Sequence, residues 1–404
     1  MDDVDDVRVS TIELFFDLVF VFTITQLTAL LVAEPTGAGV GRVVLIFGNV
    51  WWMYGGYAWL TNAVPPREPV LKLLMLVGMA GFLVTALAIP HAFGSSGVAF
   101  GIGYLVVTFV HTGLFLRSSE ESAVRAMFRL GPYNAVTAAM LLAAGFVHGS
   151  ARWTLWVAAF VLHWSSPAVT AAMLLAAGFV HGPARWALWV AAFVLHWSSP
   201  AVTAVGGFRI RAGHFVERHG LIVLIALGES VVAVGLGAQG DHELTAGLVL
   251  TAVLGLALAA ALWWLYFDSE DTRAERALDE APQARNPWLA LFAFGYVFLP
   301  VLGGIIVLAA GVRRGIVSYD HPATAATAWF LAAGTAAYVL GLVLLRYFLR
   351  TGSVVPRLCM AVAVPLTVVV GLEVSPEAQM AAITVLLAAG IVLEGRRAVD
   401  HSPA

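Results

Sequence analysis

The chain has 404 residues, 60% hydrophobic and 12% charged, with a formal net charge of -3 and a mean hydropathy of +0.87. Apolar stretches of about 20 residues recur from end to end and indicate a polytopic α-helical membrane protein; a β-barrel, built from alternating segments of about ten residues, is excluded. The lipid bilayer is therefore the expected partner, the absence of a basic tract excludes nucleic acid, and the single cysteine, Cys359, excludes an intrachain disulfide.

The N-terminal MDDVDDVR is acidic where a secretory signal needs basic residues, so the first helix is expected to be retained. That first span, about 12–33, holds ELFFDLVFVFTITQ from Glu13 to Gln26. Glu13 and Asp17 are four residues apart and fall on one helical face, one turn from each other. An acid at bilayer depth costs about 2.5 to 3.5 kcal/mol and normally faces a bundle interior or a wet cavity. Two on one face mark a candidate site, with Gln26 as a further polar group. Spans follow at 43–62, 70–90, 97–116 and 130–148. Trp51 and Trp52 lie about ten residues before Asn62, too deep for an interfacial aromatic belt, and are expected to pack around the polar site.

Residues 135–167, AVTAAMLLAAGFVHGSARWTLWVAAFVLHWSSP, recur at 168–200 with two changes, Pro183 for Ser150 and Ala187 for Thr154. Identity this close is the mark of a recent tandem duplication or of an assembly error in the sequence, within a compound region at 153–206. A break at Ser165, Ser166 and Pro167 is expected, giving an extra hairpin of two helices of about 14 residues, shorter than the roughly 20 that a full span needs. The copied histidines, His148, His163, His181 and His196, read as interfacial or packing residues.

Further spans follow at 217–237 and 245–267. His214, Glu217, Arg218 and His219 crowd the start of the first, but His219 lies off the face shared by His214 and Glu217, so no metal site is expected. A salt-bridged cluster holding the helix end is the plain reading; a functional Glu217 to Arg218 arrangement with Asp17 as partner is the other. Glu229, 12 residues beyond Glu217 and so about 18 Å along the helix, is the deepest carboxylate and is placed to exchange protons. Trp263, Trp264 and Asp268 close the next span. Asp268 to Asn286 is mixed in charge and reads as a short cytoplasmic helix, followed by spans at 287–311, 324–349, 355–374 and 378–395. The expected architecture is an all-α transmembrane bundle of about 12 core spans in two related halves, plus the duplicated hairpin. Its parts are first-half helices at 1–134, the duplication at 135–200, the start of the second half at 201–267, the charged linker at 268–286 and C-terminal helices at 287–404. Placing both termini in the cytoplasm puts 17 of the 22 lysines and arginines inside, which orients the chain in a cell membrane by the positive-inside rule.

Four segments, VSTIELFFDLVFVFTITQLT at 9–28, WWMYGGYAWLTN at 51–62, GHFVERHGLIVLIALGES at 213–230 and ALWWLYFDSED at 261–271, resemble the bacterial low-temperature-requirement A (LtrA) family. The resemblance implies a multi-pass membrane protein linked by name to growth in the cold, and it carries no defined chemistry. The segments also resemble one another. Glu13 leads a helix followed by Trp51, Trp52 and Tyr54, and Glu217 one followed by Trp263, Trp264 and Tyr266, as expected of related halves, whose interfaces hold binding sites in transporters.

No nucleotide loop, HExxH zinc motif or GxSxG elbow occurs in the sequence. The leading expectation is a secondary transporter or proton-coupled permease of a small solute. Glu13, Asp17 and Glu229 line its pathway, Gln26, Trp51, Trp52, His214, Glu217, Arg218, Trp263, Trp264 and Asp268 support them, and no metal or cofactor is needed. The alternatives are an intramembrane enzyme acting on a lipid or isoprenoid with the same carboxylates as acid and base, and a non-catalytic membrane component of cold adaptation.

Overall fold

The structure, a computed structural model, describes residues 9–118, 120–164, 210–237, 245–283 and 285–400. Among the described residues every regular element is helical. Nine helices among them are long and apolar enough to cross a bilayer, against the twelve or so expected. Helices also stand at the expected 43–62 and 130–148, but α2 (Gly37–Ala63) and α5 (Glu121–Phe146) are more polar, α5 carrying Glu121, Arg125 and Arg129 in its opening turns. α6 (Ser150–Trp164) has 15 residues. The second repeat copy at 168–200, with His181 and His196, and the expected break at 165–167 lie outside the described residues.

The chain divides into two compact units, one of Met1–Gln26, Gly41–Phe215 and Pro282–Trp288, the other of Leu27–Val40, Val216–Ala281 and Leu289–Ala404. In the first, α1 (Thr11–Ala33) buries Glu13, Phe16, Asp17, Phe20, Ile24 and Leu27 while Leu14, Phe15 and Leu18 face outward. That spacing is the apolar stripe of a 3.6-residue period, with two acids set inside it. α3 (Pro69–Ala88), α4 (Gly97–Phe115) and α5 pack in succession, with Gly103 of α4 against the Gly81 carbonyl and Gly97 against Gly145. α2 joins the unit's two ends. Near its start the Arg42 guanidinium lies 5.7 Å over the Phe93 ring and 5.8 Å over Trp153. There too Arg152, at the head of α6, donates to the last-turn carbonyls of α5, Ala144 and Val147, and to Phe93. Toward the far end of α2, about 30 Å from Arg42 at 1.5 Å per residue, the Asn62 amide oxygen accepts from the Arg211 backbone N–H at 3.1 Å.

In the second unit α7 (Ala212–Gly237) runs antiparallel to α8 (Ala246–Phe267), Gly220 facing Tyr266 and Phe267, and Val234 facing Gly255. α9 (Glu270–Asp279) follows, and α10 (Asn286–Ala290) passes through a π-helical turn at Leu291–Tyr296 into α11 (Phe298–Val317). α11 and α12 (Ala325–Leu349) are antiparallel at backbone contact: Gly304 meets Tyr338, Gly334 meets Leu308 and Gly341 meets Val301, with no room for a β-carbon. The next span is broken. α13 (Val355–Ala363) and α14 (Val368–Glu373) are separated by a 3-10 turn at Val364–Thr367, where Pro365 has no N–H to give the helix. α15 (Pro376–Asp400) closes the chain. At one end of this unit Thr245 meets Tyr319, the Ala323 N–H meets the Gly371 carbonyl, and Arg314 donates to the last-turn carbonyl of α1 at Val32. Its other end holds an ion-pair network described below.

Candidate functional site

The start of α1 is fixed by sequence. Ser10 and Glu13 form the S-x-x-E spacing of a capping box, and one Glu13 oxygen accepts from the Ser10 backbone N–H at 2.9 Å and from its hydroxyl at 2.6 Å. The other Glu13 oxygen lies 3.1 Å from His214 Nε2, with both side chains 3% exposed. One turn deeper, Asp17, fully buried, accepts from the Tyr54 hydroxyl at 2.9 Å. Trp51 stacks on Tyr54 at 5.0 Å, and Phe20 covers the same ring at 4.4 Å. Phe16 stacks on Tyr57 at 4.8 Å. The first unit thus holds a buried carboxylate and imidazole in contact, with a second buried carboxylate on a tyrosine. Such a set can bind a cation or pass a proton, because each acid has a partner whose hydrogen bond can be remade as charge changes.

The other expected residues separate. Trp52 donates to the Asn134 side chain at 3.2 Å, and Gln26 is half-buried. Glu217 and Asp268 are exposed, and Trp263 and Trp264 face outward, 41% and 50% exposed, rather than packing inward. Arg218, Glu229 and Ser230 are buried in the second unit. His219, also buried, sets its ring 4.8 Å from Phe294 in the π-helical turn and 5.2 Å from Phe298.

The sequence reading missed a polar cluster in the second unit. Glu270, at the start of α9, takes two bonds from Arg346 at 2.9 and 2.7 Å and lies 3.3 Å from Arg357. Glu394 of α15 meets Arg346 at 3.0 Å and Arg357 at 3.5 Å. Glu270, Arg346 and Arg357 are 1%, 6% and 3% exposed in their side chains, so this is an interior network that reaches into the segment expected to be a charged cytoplasmic linker. Ala274 and Leu278 are buried with Glu270. Their i, i+4, i+8 spacing was the available signal that this face of the linker turns inward. Two acids and two arginines pair here, which suits a clamp joining α9, α12, α13 and α15. Among the described residues no group of three or more His, Cys, Asp or Glu is arranged to hold a metal ion.

The family model described as bacterial low temperature requirement A protein (LtrA) matches residues 8–172 and 164–392. The chain is 27% identical over 315 residues, 77% of its length and 70% of the relative's, to the uncharacterized protein RA0937 of Rhizobium meliloti (strain 1021). No solved structure matches.

Proposed function

We propose, from the premise that the chain belongs to the bacterial low temperature requirement A (LtrA) family of multi-pass membrane proteins, that it works as a proton-coupled secondary transporter of a small solute. The observation that carries this reading is the buried contact between Glu13 and His214, with Asp17 on Tyr54 one turn deeper. Two acids and an imidazole held out of water supply proton-binding groups at a depth where other chemistry would be served by apolar residues. Glu229, buried in the second unit, is the further acid of this reading. The distribution of lysines and arginines supports a topology with both termini on the cytoplasmic side of a cell membrane.

A second reading has an observation of its own. Glu13 completes a capping box, so the acid and its histidine could serve only to fix a helix end in a non-catalytic membrane component. Liposomes containing the purified protein and a trapped pH dye separate the two. An imposed pH gradient should drive proton flux that a panel of small solutes stimulates, and Glu13→Gln should abolish it. Equal flux in that variant would leave Glu13 with the capping role alone.

A further inference from the structure

The ion-pair network of the second unit leaves three polar atoms over. Among the described residues the Glu270 Oε2 atom, the Arg357 Nη1 atom and the Tyr266 hydroxyl are buried without a hydrogen-bond partner, and the residues that carry them are 1%, 3% and 0% exposed. Buried polar groups are almost always paired, and a charged group left without a partner is the most costly exception.

No small adjustment of the side chains pairs them. Glu270 Oε1 takes both Arg346 bonds, at 2.9 and 2.7 Å, which fixes the carboxylate. Arg357 donates to the Leu265 carbonyl near the end of α8 at 2.8 Å and meets Glu394 at 3.5 Å, which fixes the guanidinium. Turning Nη1 toward Oε2 would give up one of those contacts. The Tyr266 ring is flanked by Phe267 at 4.8 Å and Phe298 at 6.3 Å. The three atoms also share one neighbourhood. Glu270 Oε1 and Arg357 Nη2, the companions of the two unpaired atoms, are 3.3 Å apart. Glu270 follows Tyr266 by four residues, where α8 gives way to α9, and is close enough for its charge to act on Tyr266.

Charge decides what fits among them. A cation is repelled by Arg357 and an anion by Glu270, whereas a neutral hydroxylic molecule donates to the carboxylate and accepts from the guanidinium, with the tyrosine hydroxyl free to take either role. The three atoms are closed off from the surface, which favours the smallest molecule of this kind. A buried water makes about three hydrogen bonds, and three unpaired groups stand here.

We propose that this end of the second unit is a water-binding site, in which one ordered water held by Glu270 Oε2, Arg357 Nη1 and the Tyr266 hydroxyl joins α8, α9 and α13. The site is independent of the transport reading. X-ray radiolytic labelling of the full chain in lipid nanodiscs tests it, because hydroxyl radicals form from waters lying beside a side chain. Tyr266 should gain an oxygen although it is 0% exposed, and in heavy-oxygen water its label should exchange more slowly than that of Tyr347, which is 66% exposed. An unlabelled Tyr266 would overturn the proposal. The second measurement is the unfolding temperature of Tyr266→Phe. Where the hydroxyl holds a water, phenylalanine removes one of that water's bonds, and the unfolding temperature should fall by about 2 °C. Where the hydroxyl is unpaired, its removal relieves a buried polar group and the temperature rises. An unchanged or higher temperature would therefore overturn the proposal as well.

Discussion

At the scale of single residues, Glu13 does two jobs that can be pulled apart because they use different oxygens. One oxygen closes the capping box on Ser10 and the other meets His214. Glutamine serves a capping box as well as glutamate does, so Glu13→Gln should keep thermal stability in detergent within about 1 kcal/mol while removing the charge opposite His214. Glu13→Ala should also lose the acceptor of the Ser10 N–H and hydroxyl, at a further cost of about 1 kcal/mol. A Gln variant as unstable as the Ala variant would show that the ion pair, rather than the cap, holds this helix end. The pair of acids was legible in the sequence because four residues on a helix is close to one turn. Their partners were legible only in part. His214 was singled out as a neighbour of Glu217, while its contact is with Glu13, some 200 positions away and beyond what local spacing encodes.

At the scale of elements, the second unit is held by two devices of opposite chemistry. The face between α11 and α12 is built from glycines at Gly304, Gly334 and Gly341, each touching backbone of the other helix. Gly304→Val or Gly334→Val should therefore force the helices apart and cost about 1 to 3 kcal/mol or more, read as a lower unfolding temperature in bicelles. The end of the unit is held by the Glu270, Glu394, Arg346 and Arg357 network. Removing one partner leaves a buried charge without its mate, so Glu270→Ala should destabilise by about 3 to 5 kcal/mol, and adding Arg346→Met should recover part of that loss. Additive losses would mean that the pair is not coupled. Gly78, Gly304 and Gly341 all stand at close helix contacts. The network was not legible. Arg346 and Arg357 counted only as loop charges in the orientation argument, and Asp268 to Asn286 looked uniformly polar until the buried face of α9 was seen.

At the scale of the molecule, the ends of the first unit bear on the duplication. Arg152 opens α6 at one end, and the chain returns at Arg211 beside Asn62 at the other. One repeat copy supplies enough residues for one passage, so deleting 168–200 should leave the side of a C-terminal reporter unchanged and the thermal stability at least as high. A reporter that changes sides would mean that the second copy carries an odd crossing. In the second unit Glu270 and Glu394 meet at one end, so reporters fused at residues 280 and 404 should sit on the same side. On the proposed orientation that side is the cytoplasm.

The contact between Glu13 and His214 also sets a timetable for biosynthesis. Chains are made at about 5 to 20 residues per second, so the carboxylate leaves the ribosome roughly 10 to 40 s before the histidine that meets it. During that interval Glu13 lacks its imidazole, though Tyr54 has already reached Asp17's stretch of chain, while the outward face of α1, Leu14, Phe15 and Leu18, is already apolar enough to partition into lipid. The nascent helix must therefore wait at the headgroup level or beside the insertion machinery, its acidic stripe turned toward water, and complete its descent only after α7 has been made.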